Sequence, residues 1–271
     1  MSETKRAAMQ PQDHFELKLP SDPQISPDGR HVAYVRTRAD LQSDSWLTEL
    51  CVVDRVAGAR HELGPGSQPR WAPDGTGLAF VRAAAGAGAG FAIERWQTGS
   101  AQRSVLATLA QAPSGLAWSP DGAVLAFVMR VTPVPTAPLD RDVPAWETLR
   151  TAQWSAPGLY TEALVRRIEG IDADLPEGHH HIFLLDLASG ALRQLTEGPF
   201  NHGGPLTDVT KMALAGRISW TPDIRHIVMS MQRPEPQAGP LDPKATIAAD
   251  VYEFDVADGA VRQLTRFGGP V

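Results

Sequence analysis

The sequence predicts an all-β fold, a β-propeller built of four-stranded antiparallel blades. Three observations predict it. A turn motif recurs at a spacing in the forties, each copy runs into a short apolar stretch, and one hairpin is nearly copied later in the chain. The turns are Ser26-Pro27-Asp28-Gly29, Ala72-Pro73-Asp74-Gly75, Ser119-Pro120-Asp121-Gly122 and Thr221-Pro222-Asp223-Ile224. Their aspartates stand 46, 47 and 102 residues apart, the last gap being about one repeat plus an insertion of similar length. The copied hairpin is Asp186-Leu187-Ala188-Ser189-Gly190-Ala191-Leu192-Arg193-Gln194-Leu195-Thr196 against Asp255-Val256-Ala257-Asp258-Gly259-Ala260-Val261-Arg262-Gln263-Leu264-Thr265. A period in the forties with several short strands per unit is the signature of a propeller blade.

Composition narrows the function classes. The 271 residues are 42% hydrophobic and 21% charged, as in an ordinary globular protein. A net charge of −6 with no basic stripe argues against a nucleic-acid partner. The 24 glycines and 23 prolines sit at repeated turn positions, which fits many strands. Cys51 is the single cysteine and lies in the apolar run Leu50-Cys51-Val52-Val53, so a buried structural thiol is expected. Met1 to Gln10 lacks the apolar core of a secretory signal, and no run is long enough to span a membrane. No membrane partner and a cytoplasmic location are therefore expected.

Residues 1–20 read as an N-terminal extension lying on the domain through Phe15, Leu17 and Leu19. The propeller follows over 21–271, with blades at about 21–66, 67–112, 113–198 and 199–271. In the first, Val32 to Val35 and Leu47 to Val53 are strands, and Ala57-Gly58 turns into an outer strand at Arg60 to Leu63. In the second, Leu78 to Val81 and Phe91 to Ile93 are strands, separated by an alanine-glycine loop at 83–90. That loop lacks the Lys-Ser/Thr ending and helix of a phosphate-binding loop, so a connector is expected. The third blade has Val124 to Met129, an insertion over 131–180, and then Ile182 to Leu187. The fourth has Ile227 to Met229 and Val251 to Val256. Its turn has Ile224 where the others have glycine. A β-branched residue resists positive φ, so this turn is expected to take another geometry.

Trp71, Trp118 and Trp220 precede three of the turns. Each is expected to pack between neighbouring sheets, an apolar body with one polar handle. A lone sheet cannot bury both faces, so the units must stack. Either the four blades close on themselves or they form part of a larger ring. An open arc would expose a sheet face and edge, from which self-association is expected.

With these repeats in place the chain resembles the N-terminal propeller of the prolyl oligopeptidase family of serine peptidases, in its acylaminoacyl-peptidase-like branch. The residues carrying the resemblance are Ser21-Asp22-Pro23-Gln24-Ile25-Ser26-Pro27-Asp28-Gly29 with Val32-Ala33-Tyr34-Val35, Pro69-Arg70-Trp71-Ala72-Pro73-Asp74-Gly75, and Leu116-Ala117-Trp118-Ser119-Pro120-Asp121-Gly122. His181-Ile182-Phe183, Arg193-Gln194-Leu195-Thr196 and Gly203-Gly204-Pro205-Leu206 extend it. The resemblance implies a place in a larger, seven-bladed ring and a C-terminal α/β-hydrolase domain with a Gly-x-Ser-x-Gly nucleophile. No serine in this sequence has a glycine two residues before it. The implied role is thus a substrate-gating portion for short or N-blocked peptides, inactive by itself. Its partners would be peptide substrate and the missing hydrolase domain. The Ser-Pro-Asp-Gly turn is shared with TolB-like propellers, which leaves a stand-alone protein-binding module as the alternative.

Candidate sites are few. No catalytic, cofactor-binding or metal-ligating set is assigned. His179-His180-His181 alternate in direction on an extended chain and lack nearby ligand partners, so a polar loop entering a strand is expected. The turn aspartates are expected to bond their own backbone. The insertion places Trp146, Glu147, Trp154, Tyr160, Arg166 and Arg167 on a long excursion. Long loops in compact domains are often functional, so these six are the candidates for partner or substrate contact.

Overall fold

The computed structural model describes residues 10–84, 90–132, 178–198, 201–205, 213–214, 217–232 and 249–266. Within them the chain is almost wholly β and antiparallel, as expected. The first sheet is β1 (Leu19–Ile25), β2 (His31–Asp40), β3 (Ser45–Asp54) and β4 (Arg60–Pro65), paired in that order. The second is β5 (Ser67–Trp71), β6 (Gly77–Ala83), β7 (Phe91–Gln97) and β8 (Arg103–Leu109). The third is β9 (Ser114–Trp118), β10 (Val124–Val131), β11 (His179–Asp186) and β12 (Leu192–Gln194). The fourth contains β13 (Asn201–His202), which pairs with β17 (His226–Gln232) beside β16 (Ser219–Trp220). Between β13 and β16 stands a small hairpin, β14 (Gly204–Pro205) with β15 (Ala213–Leu214). From β17 the sheet continues to β18 (Asp250–Asp255) and β19 (Val261–Gln263). A 3-10 turn at Pro11–Glu16 precedes β1, with the His14 ring edge-on to Trp46 at 5.2 Å.

Each repeated turn is wired the same way. In the first, Gly29 N–H donates to the Ser26 carbonyl and Gly29 has φ +69°. Ser26 Oγ donates to Asp28 Oδ1, which also accepts from Arg30 N–H, and His31 N–H donates back to Ser26 Oγ. Ser119 and Asp121 repeat this, as do Thr221 and Asp223. Where Ala72 replaces the hydroxyl residue, Thr76 Oγ1 donates to Asp74 instead. The expectation for Ile224 is overturned. Ile224 N–H donates to the Thr221 carbonyl and the residue sits at φ +59°, so the turn keeps the common geometry. The bonds of Thr221 and Asp223 hold the backbone where the side chain alone would not.

Packing between sheets is apolar. Leu50, Val52, Trp71, Leu78, Phe80 and Trp96 join the first sheet to the second. Val81, Ile93, Leu125, Phe127 and Phe183 join the second to the third, with Phe127 and Phe183 stacked at 5.8 Å. Ile182, Leu184, Ile227, Met229 and Phe254 join the third to the fourth. Each such side chain stabilises by about 1.5–3 kcal/mol on burial. No apolar cluster joins the fourth sheet back to the first among the described residues, so the sheets do not close on a common core. On the first sheet's far face stand Ile25, Val32, Tyr34 and Val53 in register with buried Cys51. Burial pushes the Cys51 thiol pKa up, in keeping with a structural thiol.

The tryptophans do what their position suggests. Trp71 Nε1 donates to the Gln24 carbonyl at 3.0 Å, Trp118 Nε1 to the Arg70 carbonyl at 3.0 Å, and Trp220 Nε1 to the Ala117 carbonyl at 3.2 Å. Each bond ties an inner strand to the inner strand of the preceding sheet, at the same position every time.

Candidate functional site

The inner strands share a second device. In β1, Asp22 and Pro23 together face the single residue Tyr34, because the register steps from Ser21↔Val35 to Gln24↔Ala33. In β5, Gln68 and Pro69 do the same, and in β9, Gly115 and Leu116. The first residue of each pair has positive φ: Asp22 +46°, Gln68 +55° and Gly115 +65°. Such a bulge bends the strand and re-aims a side chain. In the fourth sheet Gly203 N–H donates to the Ser230 carbonyl and Ser219 pairs with Val228, so β13 and β16 meet the same strand, β17. Counted back from Trp220, Arg217 holds the position of Asp22, Gln68 and Gly115.

These positions bring three sheets to one carboxylate. Arg70 Nη1 donates to Asp22 Oδ2 at 2.8 Å and also to the Pro69 carbonyl. Gln24 Nε2 donates to Asp22 Oδ1 at 2.9 Å. Arg217 Nη2, from the fourth sheet, lies 3.9 Å from Asp22 Oδ1. The Asp22 and Arg70 side chains are mostly covered, at 22% and 15% exposure, whereas Arg217 is 68% exposed. Beside them Gln68 bridges to the third sheet, donating to the Pro113 carbonyl and accepting from Gly115 N–H. Among the described residues the inner rim therefore carries two guanidinium groups, Arg70 and Arg217, against the one carboxylate of Asp22.

The histidines belong to the fold. They form the start of β11 itself, with His179 opposite Val131 and His181 opposite Met129, and not a loop entering it. His181 and His202 are buried, with rings 5.2 Å apart. His202 Nδ1 lies 2.9 Å from the His180 carbonyl, and Thr196 Oγ1 lies 3.4 Å from His181 Nδ1. Burial lowers the pKa of His181 and of His179, keeping both neutral near pH 7. No three potential metal ligands converge among the described residues. A cleft of about 660 Å³ between the third and fourth sheets is lined by Arg193, Thr196, Glu197, His202 and Asp258. Arg193 there donates to the Val256 and Ala257 carbonyls, which ties the sheets together.

The six candidates from the insertion, Trp146, Glu147, Trp154, Tyr160, Arg166 and Arg167, lie outside the described residues, as does 85–89 of the alanine-glycine loop. The rim cluster was missed in the sequence. Its one signal was the offset of three residues before Ile25, Trp71, Trp118 and Trp220, where Asp22, Gln68, Gly115 and Arg217 align.

No family model matches the chain. The uncharacterized peptidase YuxL of Bacillus subtilis is 27% identical over 193 residues, covering 68% of this chain and 27% of that protein. Acylaminoacyl peptidase of Pyrococcus horikoshii superposes with a TM-score of 0.59 at 17% identity, over 93% of this chain and 33% of that one. The β-propeller domain of the Trilobed protease from Pyrococcus furiosus gives 0.53 at 16% identity, over 92% and 57%. The chain thus spans about a quarter of the curated relative and a third of the acylaminoacyl peptidase. The fold is therefore that of a β-propeller, and the described residues hold no part of an α/β-hydrolase domain.

Proposed function

We propose that the chain is the propeller portion of a serine peptidase of the prolyl oligopeptidase family, gating access of short or N-blocked peptides to a hydrolase domain. The observation that carries this reading is the match of 93% of the chain to a third of an acylaminoacyl peptidase, in a sequence with no Gly-x-Ser-x-Gly nucleophile. The peptidase relative in Bacillus subtilis supports it. Packed sheets are poorly deformable, so a ring of them selects by size and by the charge of its inner rim. Catalysis needs a nucleophile, a base and oxyanion donors in mutual reach, and the described residues offer no such set. Alone, the chain is inactive.

Two measurements test this. The coding DNA beyond Val271 should continue in frame into a Gly-x-Ser-x-Gly segment. The purified 271-residue chain should hydrolyse no acylaminoacyl or peptidyl chromogenic substrate and take up no serine-directed phosphonate. Hydrolysis or labelling of this chain would overturn the reading. A stop codon directly after Val271 would instead favour the stand-alone protein-binding propeller.

A further inference from the structure

We infer that the inner rim is a carboxylate-recognition site, in which Arg217, backed by Arg70 and Asp22, holds the free C-terminal carboxylate of a peptide. The inference rests on the gating reading for the choice of a peptide as ligand, and on the rim geometry for the carboxylate.

Asp22 is already served by close donors. Arg70 Nη1 engages one oxygen at 2.8 Å and Gln24 Nε2 the other at 2.9 Å. Arg217 stands beyond hydrogen-bonding distance, at 3.9 Å, and is 68% exposed. A guanidinium carries five N–H donors in a planar fork, and a carboxylate accepts two of them side by side. Asp22 therefore acts on Arg217 mainly as a nearby negative charge that steers the guanidinium, leaving its fork open to an incoming anion. One carboxylate cannot neutralise two guanidinium groups, so the described rim residues together attract a second carboxylate. The site also draws on separate sheets. Asp22 comes from β1, Arg70 from β5 and Arg217 from the segment leading into β16. Asp22 sits in the bulge of β1 and Arg70 directly follows that of β5, where a bulge re-aims side chains. A lysine at Arg217 would keep the charge and lose the fork.

The terminal carboxylate and an acidic side chain offer the same chemistry, so the test separates them. Binding of fluorescent N-acetylated tetrapeptides to the chain would be followed by anisotropy at low and high salt. The set would comprise a free acid, its C-terminal amide, and an amide with an internal glutamate. The free acid should bind about tenfold more tightly than either amide, with the advantage shrinking as salt rises. Arg217→Ala should reduce the acid to the affinity of the amide, and Arg217→Lys should restore only part of the difference. Arg103→Ala, on the exposed outer strand β8, should leave it unchanged. Unaltered thermal unfolding of Arg217→Ala would show that the loss is not misfolding. Equal binding of acid and amide, absence of binding by all three, or an Arg217→Ala variant that keeps the preference would each overturn the inference. Equal binding by the internal glutamate peptide would overturn the assignment to a terminus. None of these outcomes depends on a hydrolase domain, so the gating reading stands or falls separately.

Discussion

At Ile224 the chain adopts φ +59°, a value that suits glycine and strains a β-branched side chain. The left-handed region costs an L-residue about 1–2 kcal/mol, while glycine gives back roughly 0.5–1 kcal/mol through its freer unfolded state. Ile224 is 39% exposed, so most of its side chain is covered and burial offsets the strain. Ile224→Gly should therefore change stability by less than about 1 kcal/mol, strain relief and lost burial opposing each other. Urea unfolding would show a nearly unchanged midpoint at constant slope, and a large drop would show that packing outweighs strain here. This residue also marks a limit of reading by local preference. The side chain argued for a different turn, yet hydrogen bonds from Thr221 and Asp223, residues equally visible in the sequence, decided the backbone.

The inner strands were legible in part. Apolar runs after each turn located β2, β6, β10 and β17, and the tryptophans located the seams between sheets. The bonds those tryptophans make follow from stacking alone, because an indole N–H turned toward the preceding inner strand meets its carbonyls. Trp118→Phe would keep the ring's apolar body and leave the Arg70 carbonyl without its donor. It would also weaken the contact of Arg95 over the Trp118 ring, at 5.8 Å. A loss of about 1–2 kcal/mol is expected, read by urea unfolding. The bulges were not legible. A step in register is set by which partner residue faces which, and no local pattern in β1, β5 or β9 records it. The Asp22–Arg217 approach was hidden for the same reason, since it joins the first sheet to the fourth through their shared geometry. The insertion candidates drew attention by composition, whereas the rim emerged only from alignment of the bulges.

Across the whole molecule, the repeated turns multiply one electrostatic effect. Hydroxyl donors hold the carboxyl pKa values of Asp28, Asp121, Asp186 and Asp223 below the usual range, chiefly Ser26, Ser119, Ser189 and Thr221 in turn. Backbone N–H groups of Ala57 and Val56 lower that of Asp54 from 3.8 to about 2. Each carboxyl is thus harder to protonate folded than unfolded. Its contribution is present above the unfolded value near 3.8 and is lost as pH falls through the folded one, about 2 for Asp54. Asp74 is lowered likewise by the Thr76 backbone N–H, so each of the four large sheets carries such a turn and the loss should be shared among them. Urea midpoints should hold steady from pH 7 to about 5 and fall steeply between about pH 4 and 2. Asp54→Asn should be less stable at pH 7 and show a shallower acid limb. An acid limb unchanged by Asp54→Asn would count against this assignment.

In the fourth sheet β13 and β16 pair with the same strand, β17, although residues 203–218 separate them in sequence. Ladder and seam resume as though nothing intervened, with Trp220 in its usual place. That position is consequently a natural splice point. Segments of differing length and chemistry can be exchanged there while the scaffold stays put, so one propeller framework could be fitted to new ligands by rewriting the sequence between β13 and β16.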